Sequence, residues 1–332
     1  MKRIDVFGMC NPLYDLQIEV SDEEFTSTGL TKGGMFLVSH EEQQKIVPSL
    51  YNKIVSASPG GSGANTMQGI ALLGSTSAYT GHVGQDDHGR LYRAGLEANG
   101  VQVHLGSSEG DTGICVVLLT PEGERTMLTY LGRALHLSRK DVNVEALKSS
   151  TYLYVTAYLW DTAGQKEAVK HAMEKANEHD VNVVLNLADS FCVTRHKDEL
   201  LDLVKAHVDV VIGNDSEVAH LTDEETPEEG AKVLSQHCKT VAVTCGERGS
   251  VLASKEEFVR VSPARVEPVD TTGAGDMYAA GLLHGLCKGL DLHKAGSLGS
   301  YLAAQVVSKL GPRLETVNMD IVDGICKGEL RV

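Results

Sequence analysis

The sequence predicts an α/β fold: a mostly parallel central sheet sandwiched by helices, with a small second sheet built from earlier segments. Two observations lead there. From about Tyr152 onward, short apolar and β-branched runs (Tyr152–Thr156, Val181–Asn186, Val208–Ile212, Thr240–Thr244) alternate with helical stretches rich in Ala, Glu, Lys and Leu (Thr162–His179, Lys197–Ala206, Thr226–His237). Such alternation forms βαβ units and a parallel sheet covered on both faces. Before about residue 135 the pattern differs: Leu16–Val20 with Gly34–Val38, and Thr112–Leu119 with Glu124–Tyr130, alternate apolar and polar residues without helical spacing. These segments predict a small antiparallel sheet projecting from the main domain, the second pair turning at Thr120-Pro121-Glu122-Gly123-Glu124.

Ile4–Val6 opens the chain as a strand, and Ile114–Leu119 is another; the Ala-, Gly- and Leu-rich stretch Gly275–Leu310 predicts two or three packed helices. The 332 residues fit one large domain, and 42% hydrophobic with 23% charged residues is ordinary globular composition. A net charge of -15 argues against a nucleic-acid or acidic-membrane binder, yet leaves room for a small anion held by local donors. Seven scattered cysteines without a CxxC pair argue against a disulfide framework and a structural zinc site. Asp5, Asn11 and Pro12 interrupt any signal-peptide core, and the longest apolar run, Ile114–Leu119, falls far short of the ~20 residues of a membrane span. A cytoplasmic protein is expected. His82, His88 and His136 read as structural or surface residues, Trp160 as a packing residue, and the acidic stretch Thr222–Gly230 as a solvated helix start.

The strongest chemical signal is Asp270-Thr271-Thr272-Gly273-Ala274-Gly275-Asp276, followed by Met277 to Leu283. Small residues there end a polar loop and open a helix, whose first N–H groups point outward at the positive end of its dipole. Glycines let an anion approach, so the segment suits a phosphate, and Asp276 beside it suits proton acceptance from an attacking hydroxyl. The plainer alternative is a glycine turn with an ordinary helix-start acid. Pro59-Gly60-Gly61-Ser62-Gly63-Ala64-Asn65 again leads from loop to helix; Gly61 admits a substrate to the backbone, Asn65 offers donor and acceptor, and the plainer alternative is an N-cap by Ser62. Neither loop is a P-loop, and Gly81-His82-Val83-Gly84 lacks dinucleotide spacing. Asn214-Asp215-Ser216-Glu217 follows a strand, at the sheet edge where α/β proteins bind ligands. Asn214 and Glu217, three apart, either organise a hydrated Mg²⁺ or simply cap the next helix. Thr244-Cys245-Gly246-Glu247-Arg248-Gly249 follows another strand and suits a place under a nucleotide.

Taken together and in this order, these pieces resemble the ribokinase-like (PfkB) family of carbohydrate and nucleoside kinases, over about residues 4–313. The carriers are Gly60 to Asn65 with Gly74, Asn214 with Glu217, and Asp270 to Asp276 with its Ala/Gly-rich tail. The resemblance implies one kinase domain over 1–332, with a β-sheet lid from discontinuous segments of about 12–40 and 110–133. It implies transfer of the γ-phosphoryl of ATP to a primary hydroxyl, with Asp276 as base and the N–H groups of Gly273, Ala274 and Gly275 stabilising the transferring group. It implies that Arg125 is a lid arginine near the phosphates. Asn214 and Glu217 would place Mg²⁺ through water, and Thr244, Gly246 and Gly249 would line the ATP side. It also implies a monovalent cation such as K⁺ near the Asp270 loop and Gly311, and a lid that pairs in a homodimer or closes over substrate in a monomer. The partners are small molecules, with neither nucleic acid nor membrane among them.

The acceptor rests on Asn11-Pro12-Leu13-Tyr14-Asp15, whose even spacing puts the amide and carboxylate on one face of an extended segment, suiting vicinal hydroxyls; a turn is the alternative. Asn-Pro-x-x-Asp resembles the adenosine kinase branch, as do Gly29-Leu30 through Val38, Asp111-Thr112-Gly113 and Asn186-Leu187-Ala188. Carried over, Asn11, Asp15, Gly61, Ser62 and Asn65 form the acceptor site, and the expected reaction makes AMP from adenosine, a purine-salvage step. The chain departs from that branch at Met35, at Tyr158 and Leu159, and at Gly132-Arg133. A ribokinase- or fructokinase-type sugar kinase is the alternative, and a non-catalytic nucleoside or sugar sensor the second.

Overall fold

A computed structural model describes residues 3–330. Among the described residues nine strands form the main sheet, in the order Phe258–Val261, Ser250–Ala253, Thr240–Thr244, Val210–Asn214, Asn182–Asn186, Ser150–Thr156, Ile4–Met9, Ser77–Thr80 and Gln102–Val103. Every pairing from Thr240–Thr244 to Gln102–Val103 is parallel; only the two strands at the opposite edge run antiparallel. The inner strands are almost wholly buried, as expected of a sheet covered on both faces. One apolar layer holds Met67, Leu282 and Leu298; the other holds Val169, Leu200 and Trp160.

The helices follow the predicted stretches with shifted ends. Ala163–Glu178 is capped by Thr162; Ser190–His207 starts earlier than expected and breaks its regular geometry at His196; Pro227–Leu234 is capped by Thr226, so the acidic stretch is a helix start. Gly275–Leu310 resolves into two helices, Ala274–Cys287 and Leu292–Val307. Trp160 is 1% exposed and its Nε1 donates to Glu199 Oε2 at 3.0 Å, a packing residue with its one donor satisfied.

The second sheet has the order Met35–Leu37, Arg125–Tyr130, Gly113–Leu119, Leu13–Glu19, Ile54–Gly60. It is mixed rather than antiparallel: Gly113–Leu119 runs parallel to Leu13–Glu19, and Arg125–Tyr130 parallel to Met35–Leu37. The pairing of Leu16–Val20 with Gly34–Val38 does not form, and Ile54–Gly60, outside segments 12–40 and 110–133, takes the edge beside Leu13–Glu19. The reason is that alternation marks a strand but names no partner; the partner is set by which apolar face meets the core. All seven cysteines are free thiols, and no helix among the described residues is long and apolar enough to cross a membrane.

Helices Ala274–Cys287 and Leu292–Val307 approach so closely that a Cβ at Gly281 would lie 2.5 Å from the carbonyl oxygen of Leu298. Gly281→Ala should therefore destabilise the protein by about 1–3 kcal/mol, read as a lower denaturation midpoint. At Gly164 the nearest atom to an added Cβ is Leu137 O at 3.4 Å, so Gly164→Ala should be neutral or slightly stabilising. Equal midpoints for the two variants would refute this account of the helix contact.

Candidate active site

A cleft of about 590 Å³ opens along the C-terminal ends of the parallel strands, where Asn186, Asn214 and Thr244 stand at strand ends and Asn11 and Tyr158 just beyond them. This is the ligand edge of an open α/β sheet. The small sheet forms the opposite wall through Asp15, Cys115, Arg125 and Met127.

The two glycine loops meet in this cleft. Gly61 caps helix Ser62–Leu72 and Gly273 caps helix Ala274–Cys287, and neither helix start receives a side-chain cap. Gly61 has φ 86° and Gly273 φ 80°, and a Cβ would lie 2.6 Å from Asn11 O at the first and 2.3 Å from Pro312 O at the second, so both conformation and space require glycine. Ser62 is not the cap. Its Oγ donates to Asp276 Oδ1 at 2.6 Å, while Asn65 Nδ2 donates to Asp276 Oδ2 at 2.9 Å. Burial raises the Asp276 carboxyl above its ordinary value, and the Ser62 and Asn65 hydrogen bonds pull it part of the way back. The result is a carboxylate held by two donors beside an uncapped helix start. Ala274 turns its own N–H back to Thr271 O at 3.2 Å; Gly275 faces open space.

Arg125 crosses from the small sheet to the main domain. Its Nη1 lies 2.8 Å from Asp270 Oδ2, and the two side chains are only 9% and 5% exposed. Asp270 also accepts from Thr272 N at 3.0 Å and Gly311 N at 2.7 Å, so the two candidate cation-site segments are tied by this carboxylate. Arg125 Nε and Nη2 and Asn65 Oδ1 are buried without a partner in the protein. Leaving such a group unpaired costs about 1–3 kcal/mol. All three belong to residues of the cleft wall.

Asp15 lines the same cleft, but Asn11 is less free than its spacing suggested: its Oδ1 accepts from Gln165 Nε2 at 2.8 Å and its Nδ2 donates to Tyr158 O at 3.3 Å. Burial pushes Asp15 up to about 7; Arg313 works against the rise, Asp276 adds to it and Arg125 opposes it. Asn214 and Glu217 form a reciprocal capping box: Glu217 N donates to Asn214 Oδ1 at 2.8 Å and Asn214 N to Glu217 Oε2 at 2.9 Å. Asn214 Nδ2 adds a bond to Glu217 Oε1 at 2.7 Å. Capping and cleft lining thus coexist in one pair. Burial raises Glu217 to about 7, the Asn214 N–H opposing and Asp189 and Asp215 reinforcing. Among the described residues no group of three or more His, Cys, Asp or Glu side chains is placed to hold a metal. A hard cation here would keep most of its waters, and a single buried carboxylate fits that mode.

Thr244 lines the cleft, whereas Gly246 and Gly249 do not. They shape the turn after the strand, with φ 57° and 83°, and a Cβ at Gly249 would lie 2.1 Å from Val261 O; backbone conformation accounts for both glycines. Met35 and Tyr158 reach the cleft, Leu159 is buried in the core, and Arg133 bonds His136 at 2.9 Å instead. Sequence reasoning missed Gln165, Arg313 and the Phe191–Arg195 pair, whose guanidinium carbon lies 4.7 Å from the ring centre. Gln165 sits on a predicted helix with no local mark, and Arg313 lies 37 residues beyond Asp276, outside every motif read from the sequence.

Comparison with known proteins places the fold in a family. Residues 26–318 match the model of the pfkB family carbohydrate kinases. An adenosine kinase of Dictyostelium discoideum is 27% identical, over 94% of this chain and 96% of its own. The crystal structure of a probable sugar kinase protein from Rhizobium etli CFN 42 superposes with a TM-score of 0.89 at 32% identity, covering 99% of both chains. That of an adenosine kinase from Sinorhizobium meliloti gives 0.86 at 33% identity, covering 98% of this chain and 99% of the other. A parallel sheet with a second small sheet, two glycine-capped helices meeting at one carboxylate, and these matches lead to one statement: the chain belongs to the pfkB family of carbohydrate kinases, phosphotransferases with an alcohol acceptor and ATP as co-substrate.

Proposed function

We propose that the chain transfers the γ-phosphoryl group of ATP to the 5′-hydroxyl of a nucleoside, adenosine first. What carries this reading is the cleft's division into two chemistries. Its lining includes the uncapped start of helix Ala274–Cys287, Asp276, and Arg125 with two unpaired buried nitrogens. The same lining includes Asp15 and a set of apolar side chains (Met35, Leu37, Val117, Met127, Phe191), of which Met35, Leu37 and Phe191 are exposed at 46%, 55% and 68%. A free sugar presents hydroxyls on every side and gains little from such a wall; a nucleoside offers hydroxyls to Asp15 and an apolar base to the rest.

In this reading Asp276 takes the proton of the acceptor hydroxyl, with Ser62 and Asn65 fixing its orientation. The N–H groups of Gly273 and Gly275 and the Arg125 guanidinium face the developing charge of the transferred group, whereas the Ala274 N–H expected to join them is spent on Thr271 O. Asp15 accepts hydrogen bonds from vicinal hydroxyls, and Asn11 and Gly61 shape the wall beside it. Glu217 with Asn214 would hold Mg²⁺ through water, and the ion supplies charge neutralisation at the phosphates when bound. Thr244 lines the nucleotide side.

ADP release should be followed with Mg²⁺-ATP over adenosine, inosine, guanosine, cytidine, ribose, fructose and fructose 6-phosphate, with and without K⁺. Adenosine should give the highest kcat/KM; a free sugar turning over far faster than every nucleoside would overturn the acceptor assignment while leaving the kinase in place. Asp276→Asn should lower kcat by about 10²–10⁴-fold with acceptor affinity within a few-fold of the parent. Turnover that survives this substitution would remove Asp276 from the role of base.

A further inference from the structure

Asp15 and Ser58 are direct cross-strand partners, on strands Leu13–Glu19 and Ile54–Gly60. The Asp15 carboxylate lies over Gly60, where a Cβ would be 2.0 Å from Oδ2, so it rests flat on the edge strand at the cleft wall. Arg313 arrives on the same strand from the main domain, on the segment that follows helix Leu292–Val307. Its guanidinium donates to Pro59 O and to Ser58 Oγ. Its donors thus go to the strand, while the Asp15 carboxylate takes no hydrogen bond from any described residue. Arg125 and Asp270 show the other arrangement, a direct ion pair at 2.8 Å in which the carboxylate is occupied.

We propose that Arg313 is a positioning residue of the acceptor site: it anchors strand Ile54–Gly60 beside Asp15 and favours the charged form of the Asp15 carboxylate while leaving both its oxygens free for the acceptor. The proposal rests on the acceptor reading above only for what Asp15 binds. A carboxylate set in a half-buried wall is disfavoured in its charged form, and a guanidinium one strand position away offsets this without taking the ligand's place. The groups facing Asp15 come from each neighbouring element: Asp276 from helix Ala274–Cys287, Arg125 from its strand, Cys115 directly opposite on Gly113–Leu119, Tyr92 from helix Asp87–Ala98, and Arg313. Asp276 opposes ionisation of Asp15, and Arg125 and Arg313 support it, Arg313 more strongly. Arg125 is already paired with Asp270, which leaves Arg313 as the cation beside Asp15 with no direct carboxylate ion pair among the described residues.

The sign of the pH effect follows. Asp15 sits at about 7 with Arg313 present, so loss of the guanidinium moves its protonation to higher pH. Less of the carboxylate is then charged at neutral pH. Two readouts test this on the full chain. The first is the titration of the Asp15 side-chain carbon by NMR in protein labelled at the aspartate carboxyl, the signal assigned by its loss in Asp15→Asn. The second is the pH profile of kcat/KM for adenosine in the parent, Arg313→Met, Arg313→Lys and Ser58→Ala.

In Arg313→Met the Asp15 titration should move up by at least about half a pH unit, KM at pH 7 should rise several-fold, and KM should recover at high pH. Arg313→Lys should restore most of the titration shift, and Ser58→Ala, which removes one anchor and no charge, should leave the titration in place. An unmoved Asp15 titration in folded Arg313→Met, or in folded Arg313→Gln where the Met variant does not fold, overturns the proposal, as does an Arg313→Lys titration as high as that of the charge-free variant. So does a KM increase equal at every pH, which identifies a purely structural anchor. A shifted titration in a protein that phosphorylates no nucleoside leaves Arg313 in this role and removes the nucleoside instead.

Discussion

The site depends on one contact, the meeting of two helix starts at Asp276. Helix Ser62–Leu72 packs against helix Ala274–Cys287, and Ser62 and Asn65 reach across to the carboxylate of the second helix at 2.6 and 2.9 Å. Each helix begins at a glycine in the left-handed region, which keeps its first N–H groups clear of a capping side chain. The same contact therefore fixes the Asp276 carboxylate beside helix starts that carry no side-chain cap. Two dipole ends pointing at one place would repel each other, and a carboxylate between them is the charge that makes the arrangement stable.

The small sheet is fastened to this centre by cations. Arg125 reaches Asp270 on the loop that leads into the second helix; Arg313 reaches out from the main domain to the edge strand. Both links cross between the sheets, and both end within a residue or two of the cleft wall. Nearly full burial of the Arg125–Asp270 pair makes loss of either partner expensive, because the other charge would remain in a dry setting. The small-sheet wall of the cleft and the helix starts opposite it are thus held together by charge as well as by packing.

A chain carrying -15 overall still concentrates donors where an anion would lie. Net charge is summed over the surface, where most acidic groups are solvated and screened within about 10 Å at moderate salt. The cleft instead faces fixed N–H groups and a guanidinium in a partly dry setting, where each counts for more. In the same setting Asp15 and Glu217 both rise to about 7. Burial dominates the two shifts, and the neighbouring cation and amide only limit them.

Local chemistry wrote much of this fold into the sequence. Strand-length apolar runs, helical spacing and two glycine loops entering helices depend on residues within a few positions of one another, so the parallel sheet and Gly61, Gly273 and Asp276 could be read directly. Asn214 with Glu217 was readable for the same reason: the structure shows the capping alternative, and the capped pair also lines the cleft. What the sequence could not decide are relations between distant residues. Gln165 holding Asn11, Arg313 supporting Asp15, and Ile54–Gly60 displacing the expected strand partner join positions far apart in the chain. Gly246 and Gly249 had the spacing of a ligand loop, and their positive φ angles also meet the demands of the turn that follows Thr244. Alternation and motif spacing set what a segment is; which segment it meets depends on burying one apolar face against another and satisfying every polar group enclosed there, and only the packed chain settles that.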